Sequence, residues 1–282
     1  MGGERLKITF YGVRGSTPCD SGDVARYGGN TSSVVLEAPG EQPLLLDLGT
    51  GVRYFGKTQP LDGSFHGNCL LSHLHWDHIQ GLPFFTPVLC SGADLDVYAP
   101  APGDGRSVDD VFRATICPPL FPLRIDQYEG EVRFRDTDEG RFRIGGFDVL
   151  AREIPHVGRT FGYRVEFAGR SVAYLPDHQQ PVDGSFAVSD AALELVEGVD
   201  LLIHDSQYTV AEFAKKATWG HCMYEYALWL AGHAKVGQLA MFHHDPNRTD
   251  DALDELARCG SSVAAPCGFA VHVAREGLVV EL

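Results

Sequence analysis

His73-Leu74-His75-Trp76-Asp77-His78 packs three imidazoles and a carboxylate into six residues. It follows the apolar run Cys69-Leu70-Leu71, which reads as a buried strand. His and Asp are ligand types that Zn²⁺ and related divalent ions accept. Crowding so many titratable groups is unfavourable unless a cation compensates. In extended chain, residues i and i+2 point to the same side, so His73 and His75 can grip one ion. Asp77 and His78 lie where the chain is expected to turn into a short helix, within reach of a second ion. Two ions roughly 3.5–4 Å apart suit the hydrolysis of phosphoesters or amides.

A dinuclear site needs further ligands, and three occur at the ends of apolar strands. His156 follows the strand ending Ile154-Pro155, Asp177 ends Ala173-Tyr174-Leu175-Pro176, and His243 ends Leu239-Ala240-Met241-Phe242. Beyond these, Asp205 ends Leu201-Leu202-Ile203, and His221 stands in Trp219-Gly220-His221 ahead of a helical stretch. A carboxylate hydrogen-bonded to an imidazole orients it and raises its basicity, which makes a proton donor near neutral pH.

With these residues in their order, the chain resembles the metallo-β-lactamase superfamily, specifically its phosphodiesterase branch that includes ribonuclease Z. The motifs are Asp47 in Leu45-Leu46-Asp47-Leu48-Gly49, the His73–His78 run, and His156 with Phe161-Gly162-Tyr163. Asp177, Asp205, Gly220-His221 and His243-His244-Asp245-Pro246 complete them, over nearly the whole length. The resemblance implies a four-layer αββα sandwich of the α/β class, built as one domain over residues 1–282. It implies that His73, His75 and His156 hold one metal, that Asp77, His78 and His243 hold the other, and that Asp177 bridges them. Asp47 would orient a ligand imidazole, a support that metal sites generally need. In ribonuclease Z-like enzymes an acidic residue and a His matching Asp205 and His221 protonate the leaving alkoxide. This chain has Asp205 where Glu is usual, and Cys222 where Ser usually follows the His. The catalytic set implied is therefore His221, Asp205 and Asp77, acting with a metal-activated water. His75 stands where flavodiiron-type oxidoreductases carry Glu, and true β-lactamases usually lack the adjacent Asp77-His78 pair.

The net charge of −15, from 38 acidic against 23 basic residues, bears on the substrate. Proteins that track long nucleic acid present Lys/Arg patches, because phosphate neutralisation drives that binding. A small phosphodiester, such as a cyclic nucleotide or another cyclic phosphate, is therefore expected over long nucleic acid. The alternatives are a ribonuclease Z-like RNA-processing nuclease, a thioester or lactone hydrolase, and a non-catalytic metal-stabilised binding protein. The expected cofactors are two divalent ions, Zn²⁺ first, with Mn²⁺ or a mixed pair as alternatives, since His/Asp sites accept several ions. No apolar run approaches the ~20 residues that span a bilayer, so no membrane partner is expected. Seven cysteines without a C-x-x-C pair argue against a disulfide framework and fit a cytoplasmic protein.

Strands are predicted at 7–11, 33–37, 43–47, 68–72, 95–98, 131–135, 141–154, 161–167, 171–175, 201–204, 238–242 and 278–282. Helices are predicted at 190–197, 210–216, 223–231 and 250–258, the last with Gly260 just past its end. The segment 100–131 reads as an insertion forming a lid or a homodimer contact. Gly12–Pro18 and Tyr27–Ser32 are rich in turn residues and read either as a cleft rim, with Arg14 or Asn30 near substrate, or as tight turns. Pro83-Phe84-Phe85 reads as core packing or as an aromatic wall.

Overall fold

A computed structural model describes residues 5–282. Both faces of the central strands are apolar, and that pattern dictates a layered structure. The first sheet contains β1 (Lys7–Gly12), β2 (Ser33–Glu37), β3 (Leu44–Leu46), β4 (His66–Leu70), β5 (Asp94–Ala99) and β6 (Glu131–Asp136). The second contains β7 (Gly140–Ile144), β8 (Phe147–Glu153), β9 (Phe161–Phe167), β10 (Arg170–Leu175), β11 (Leu201–Asp205), β12 (Gln238–Phe242) and β13 (Ala270–Val273). β14 (Val279–Glu281) returns to the first sheet beside β1.

The period-2 alternation of each strand sorts its residues between layers. Leu201, Ile203, Ala240 and Phe242 join Ile8, Phe10, Val34 and Leu36 in the core between the sheets. Leu202, Leu239 and Met241 face the other way, against α4 (Asp190–Val196) and α6 (Tyr224–His233). Val35, Leu45, Cys69 and Leu71 likewise face α1 (Val52–Gly56) and α3 (Val108–Thr115). The result is the expected αββα sandwich. α2 (Trp76–Ile79), α5 (Val210–Lys216) and α7 (Asp250–Ala264) complete the helices. No helix among the described residues is long and apolar enough to cross a membrane.

Two expectations need correction. The single strand predicted over 141–154 is a hairpin, β7 and β8, turning at Gly145 with φ +54°. α7 does not stop before Gly260 but runs on to Ala264. A Cβ at Gly260 would stand 2.9 Å from the Met241 side chain, so this glycine lets the helix lie close on the sheet. The segment 100–131 is the crossover between the parallel strands β5 and β6. Ser107 caps α3 by accepting from the Asp110 amide, and Val108, Phe112 and Ile116 are buried against the first sheet. Leu120 and Leu123 remain exposed at its outer end.

Phe84 and Phe85 divide the two readings offered for their tripeptide. Phe85 is fully buried and stacks on Phe55 at 6.0 Å, whereas Phe84 is 53% exposed. Phe85→Ala should lower unfolding free energy by about 3–5 kcal/mol through cavity formation. Phe84→Ala should change it by less than about 1 kcal/mol. Urea-unfolding midpoints of the two variants check the difference.

Candidate metal centre

The strand directions determine where the ligand-type residues meet. β10, β11 and β12 are mutually parallel, and β8 runs with β10 because both pair antiparallel to β9. Their C-terminal ends therefore share one edge, where His156, Asp177, Asp205 and His243 emerge. In the facing sheet β3 and β4 are parallel, so Asp47 and the His73–His78 run emerge together. α2 then opens with His75 at its N-cap and buries Asp77 and His78.

All seven sequence-predicted ligand residues converge. One ligand atom from each of His73, His75, His156 and Asp177 lies within 4.8 Å of the others, and so do those of Asp77, His78 and His243. Asp177 faces both groups. Its Oδ2 lies 3.7 Å from His73 Nε2 and 3.5 Å from His156 Nε2, while its Oδ1 lies 3.1 Å from His78 Nε2 and 3.2 Å from His243 Nε2. Asp77 Oδ2 is 3.3 Å from His78 Nε2 and 3.2 Å from His243 Nε2.

Hydrogen bonds behind the cluster determine which ring nitrogen faces inward. His156 Nδ1 donates to the Gly220 carbonyl at 2.6 Å, and a carbonyl can only accept. His78 Nδ1 donates to Asp47 at 2.6 Å. Their Nε2 lone pairs consequently point at carboxylates, which is repulsive unless a cation stands between. His73 Nε2, His78 Nε2 and Asp177 Oδ1 are buried without hydrogen-bond partners. Orphaned buried polar atoms of this kind cost about 1–3 kcal/mol each. Three converging on one point fit divalent ions, and His/Asp is the donor set for them.

The titration shifts have matching causes. Burial, followed by the neighbouring His78, holds His73 well below the usual imidazole range, and burial pushes His156 down to about 4. These rings stay neutral, as a ligand must be. Burial opposes ionisation of Asp177, but His243 and His78 outweigh it and hold its pKa well below the carboxylate range. For His78, burial is outweighed by Asp177, Asp77 and Asp47, which raise its pKa; a metal ion would supply the positive charge those carboxylates demand.

Asp47 is fully buried at φ +62° and accepts from the Ser72 amide, the Ser72 hydroxyl, His78 and the Tyr174 hydroxyl at 2.6–2.9 Å. Asp205 and His221 are joined at 2.7 Å, and the Gln207 amide donates to Asp205 at 2.9 Å. His221 is 7% exposed and stacks on His243 at 5.0 Å. Burial lowers its pKa, but the charge and hydrogen bond of Asp205 overcome that and raise it.

Several supporting residues were not foreseen. The Ser16 amide donates to Asp77 Oδ2 at 2.7 Å, and Gln207 links the Ser16 hydroxyl at 3.1 Å to His243 Nδ1 at 3.3 Å. The turn-rich segment around Ser16 carries the signal for it, but the rim residues that segment suggests, Arg14 and Asn30, have other partners. Arg14 is buried and donates to the carbonyls of Gly28, Asp245 and Arg248, while Asn30 is engaged with Glu276. Gly15 and Gly220 are required by close approach, since a Cβ at either would stand 2.4 Å from the ring of His243 or His156.

The cluster opens into a cleft of about 400 Å³ lined by Ser16, His75, Trp76, Asp77, His156, Val157, Asp177, Tyr208, Trp219, His221 and His243. A hollow of about 600 Å³ lies elsewhere, beside Arg26 and Tyr27, and none of the ligand-type cluster opens into it.

A family model described as "Beta-lactamase superfamily domain" matches residues 66–244, well over half of the chain. The chain belongs to the metallo-β-lactamase superfamily. Among curated relatives of this superfamily member, "Ribonuclease Z" of Synechococcus sp. (strain CC9311) is 28% identical, over 86% of this chain and 88% of that one. Among solved structures, the metallo-β-lactamase fold protein YhfI from Bacillus subtilis superposes with TM-score 0.74 at 19% identity, covering 99% of this chain and 100% of that one. A diphosphatase from the PhnP family gives TM-score 0.70 at 21% identity, over 99% of this chain and 97% of that one.

Metal removal should destabilise the fold, because a ligand that binds only the native state stabilises it by mass action, about 2.7 kcal/mol at a hundredfold excess over Kd. Chelator-treated protein should therefore show a lower Tm that Zn²⁺ or Mn²⁺ restores. Asp177→Ala should lower the metal bound per chain, by elemental analysis, relative to the unsubstituted protein.

Proposed function

We propose that the protein is a dinuclear-metal phosphodiesterase acting on a small phosphodiester. The observation that carries this reading is the Asp177 carboxylate, one oxygen toward His73 and His156 and the other toward His78 and His243. His73, His75 and His156 would hold one divalent ion, Asp77, His78 and His243 the other, with Asp177 shared. Zn²⁺ is the first candidate, and Mn²⁺ or a mixed pair the alternative. When bound, the ions would supply Lewis-acid stabilisation of phosphate charge and a water acidified for attack.

The chain's own groups do the rest. Asp47 and the Gly220 carbonyl hold the imidazoles of His78 and His156 with their Nε2 atoms inward. Ser16 and Gln207 orient Asp77 and His243. Asp205 orients His221 and favours its protonated form, so that His221 gives its proton to the departing oxygen. An alkoxide is a poor leaving group, and general acid assistance of this kind contributes about 10²–10⁴-fold.

Substrate size follows from charge. No Lys or Arg lines the described cleft, and the whole chain carries −15. Polyphosphate backbones are bound through such cations, so a single phosphodiester, such as a cyclic nucleotide or other cyclic phosphate, is the substrate class proposed. The relative named ribonuclease Z and the neighbour named a diphosphatase support phosphate ester chemistry in general. All seven cysteines are unpaired, which supports a cytoplasmic setting. The core shared by both sheets supports one domain.

His221→Ala should depress kcat by about 10²–10⁴-fold for a phosphodiester with an alkoxide leaving group. For bis(p-nitrophenyl) phosphate, whose leaving group needs no proton, the loss should be at least ten times smaller. Equal losses on both substrates would remove His221 from the proton-donor role. Preferred cleavage of RNA over cyclic phosphates would return the protein to a ribonuclease Z-like reading, and preferred thioester or lactone hydrolysis would end the phosphodiesterase one.

A further inference from the structure

The chain has three tryptophans, and they differ in environment. Trp229 is half-buried and packs against the rings of Phe186, Tyr226 and His233 at 5.0–5.7 Å. Trp76 and Trp219 are 55% and 61% exposed, yet both line the metal-site cleft. One exposed apolar side chain needs no explanation, but two indoles at the mouth of one small cleft do.

Both are held by the site itself. Trp76 lies between His75 and Asp77 in α2, so the ligand-type residues on either side fix its backbone. Trp219 directly precedes Gly220, whose carbonyl accepts from His156, and stands two residues before His221. Lys216 lies over the Trp219 ring at 5.4 Å and is tied to Asp245 at 3.2 Å. One face of that indole is therefore taken by a fixed cation, while the side chain as a whole stays open to solvent.

No Lys or Arg lines the cleft, and Lys216, which lies over the lining rings of Tyr208 and Trp219, is already paired with Asp245, so affinity for the organic part of the substrate must come from these surfaces. Base–aromatic stacking is suited to that task because every base has a π-face. We infer that Trp76 and Trp219 form a stacking mouth for a nucleobase, with Trp219 on the leaving-group side beside His221; the inference rests on the phosphodiesterase reading and narrows its substrate to nucleotide-type phosphodiesters. A bare sugar or glycerol phosphate would leave both indoles in water.

Two measurements on the metal-loaded protein test this. Adenosine monophosphate should quench indole fluorescence saturably, ribose 5-phosphate should not, and Trp219→Ala should lose most of the quench while Trp219→Phe keeps base affinity. In turnover, Trp219→Ala should lower kcat/KM for adenosine 2′,3′-cyclic phosphate about tenfold more than for glycerol 1,2-cyclic phosphate, chiefly through KM. Equal quenching by both phosphates, equal turnover losses on both substrates, or a change of oligomeric state in Trp76→Ala or Trp219→Ala would overturn the proposal. Quenching by adenosine monophosphate without hydrolysis of any phosphodiester would leave the stacking mouth in place and refute the phosphodiesterase reading instead.

Discussion

The site is organised around one buried anion. Asp177 is 1% exposed, and its two oxygens face imidazole nitrogens that include the Nε2 atoms of His78 and His156, whose Nδ1 protons are committed elsewhere. A buried carboxylate surrounded by lone pairs is a charge without a counter-charge, and such groups are costly unless paired or bound to metal. Divalent cations held by these groups would resolve this for all of them at once. The low pKa of His156 and the carboxylate demand on His78 are then two consequences of one arrangement, with neutral donors on one side and a surplus of negative charge on the other.

The fold serves this arrangement by aligning strand ends. Neither sheet alone contains the set: Asp47, His73, His75, Asp77 and His78 come from the first, and His156, Asp177 and His243 from the second. The inter-sheet core, with Phe10, Tyr174 and Phe242 in contact, holds the two edges in register. Backbone strain concentrates here, since Asp47 and His243 both have φ near +60°, a conformation that persists only where the surroundings enforce it. The N-terminal loop contributes through Gly15 and Ser16, tied down by the buried Arg14. The cleft thus grades from rigid ligand-type groups, through the Asp205–His221 pair, to the exposed indoles.

Much of this was legible in the sequence because its signals are dense. Four ligand-type residues in six positions, and strands with both faces apolar, have few other physical explanations. What escaped is of a different kind. The amide of Ser16 and the carbonyl of Gly220 act through the backbone, which carries no side-chain signal. Gln207 and Tyr174 are ordinary residues whose partners lie far away in sequence. β13 was missed because its residues are only partly buried at the sheet edge, which weakens the alternation. The β7–β8 turn was run through because apolar and charged residues alternate on both sides of Gly145-Gly146. Gly260 was read as a helix stop, whereas its small size serves packing against Met241.

The most direct test of the dinuclear account is anomalous diffraction from crystals of the purified, metal-loaded protein. The account predicts two peaks roughly 3.5–4 Å apart on either side of Asp177. One would lie about 2.0–2.2 Å from the nearest donors of His73, His75 and His156, and the other at similar range from Asp77, His78 and His243. A single peak, or metal bound away from Asp177, would contradict it.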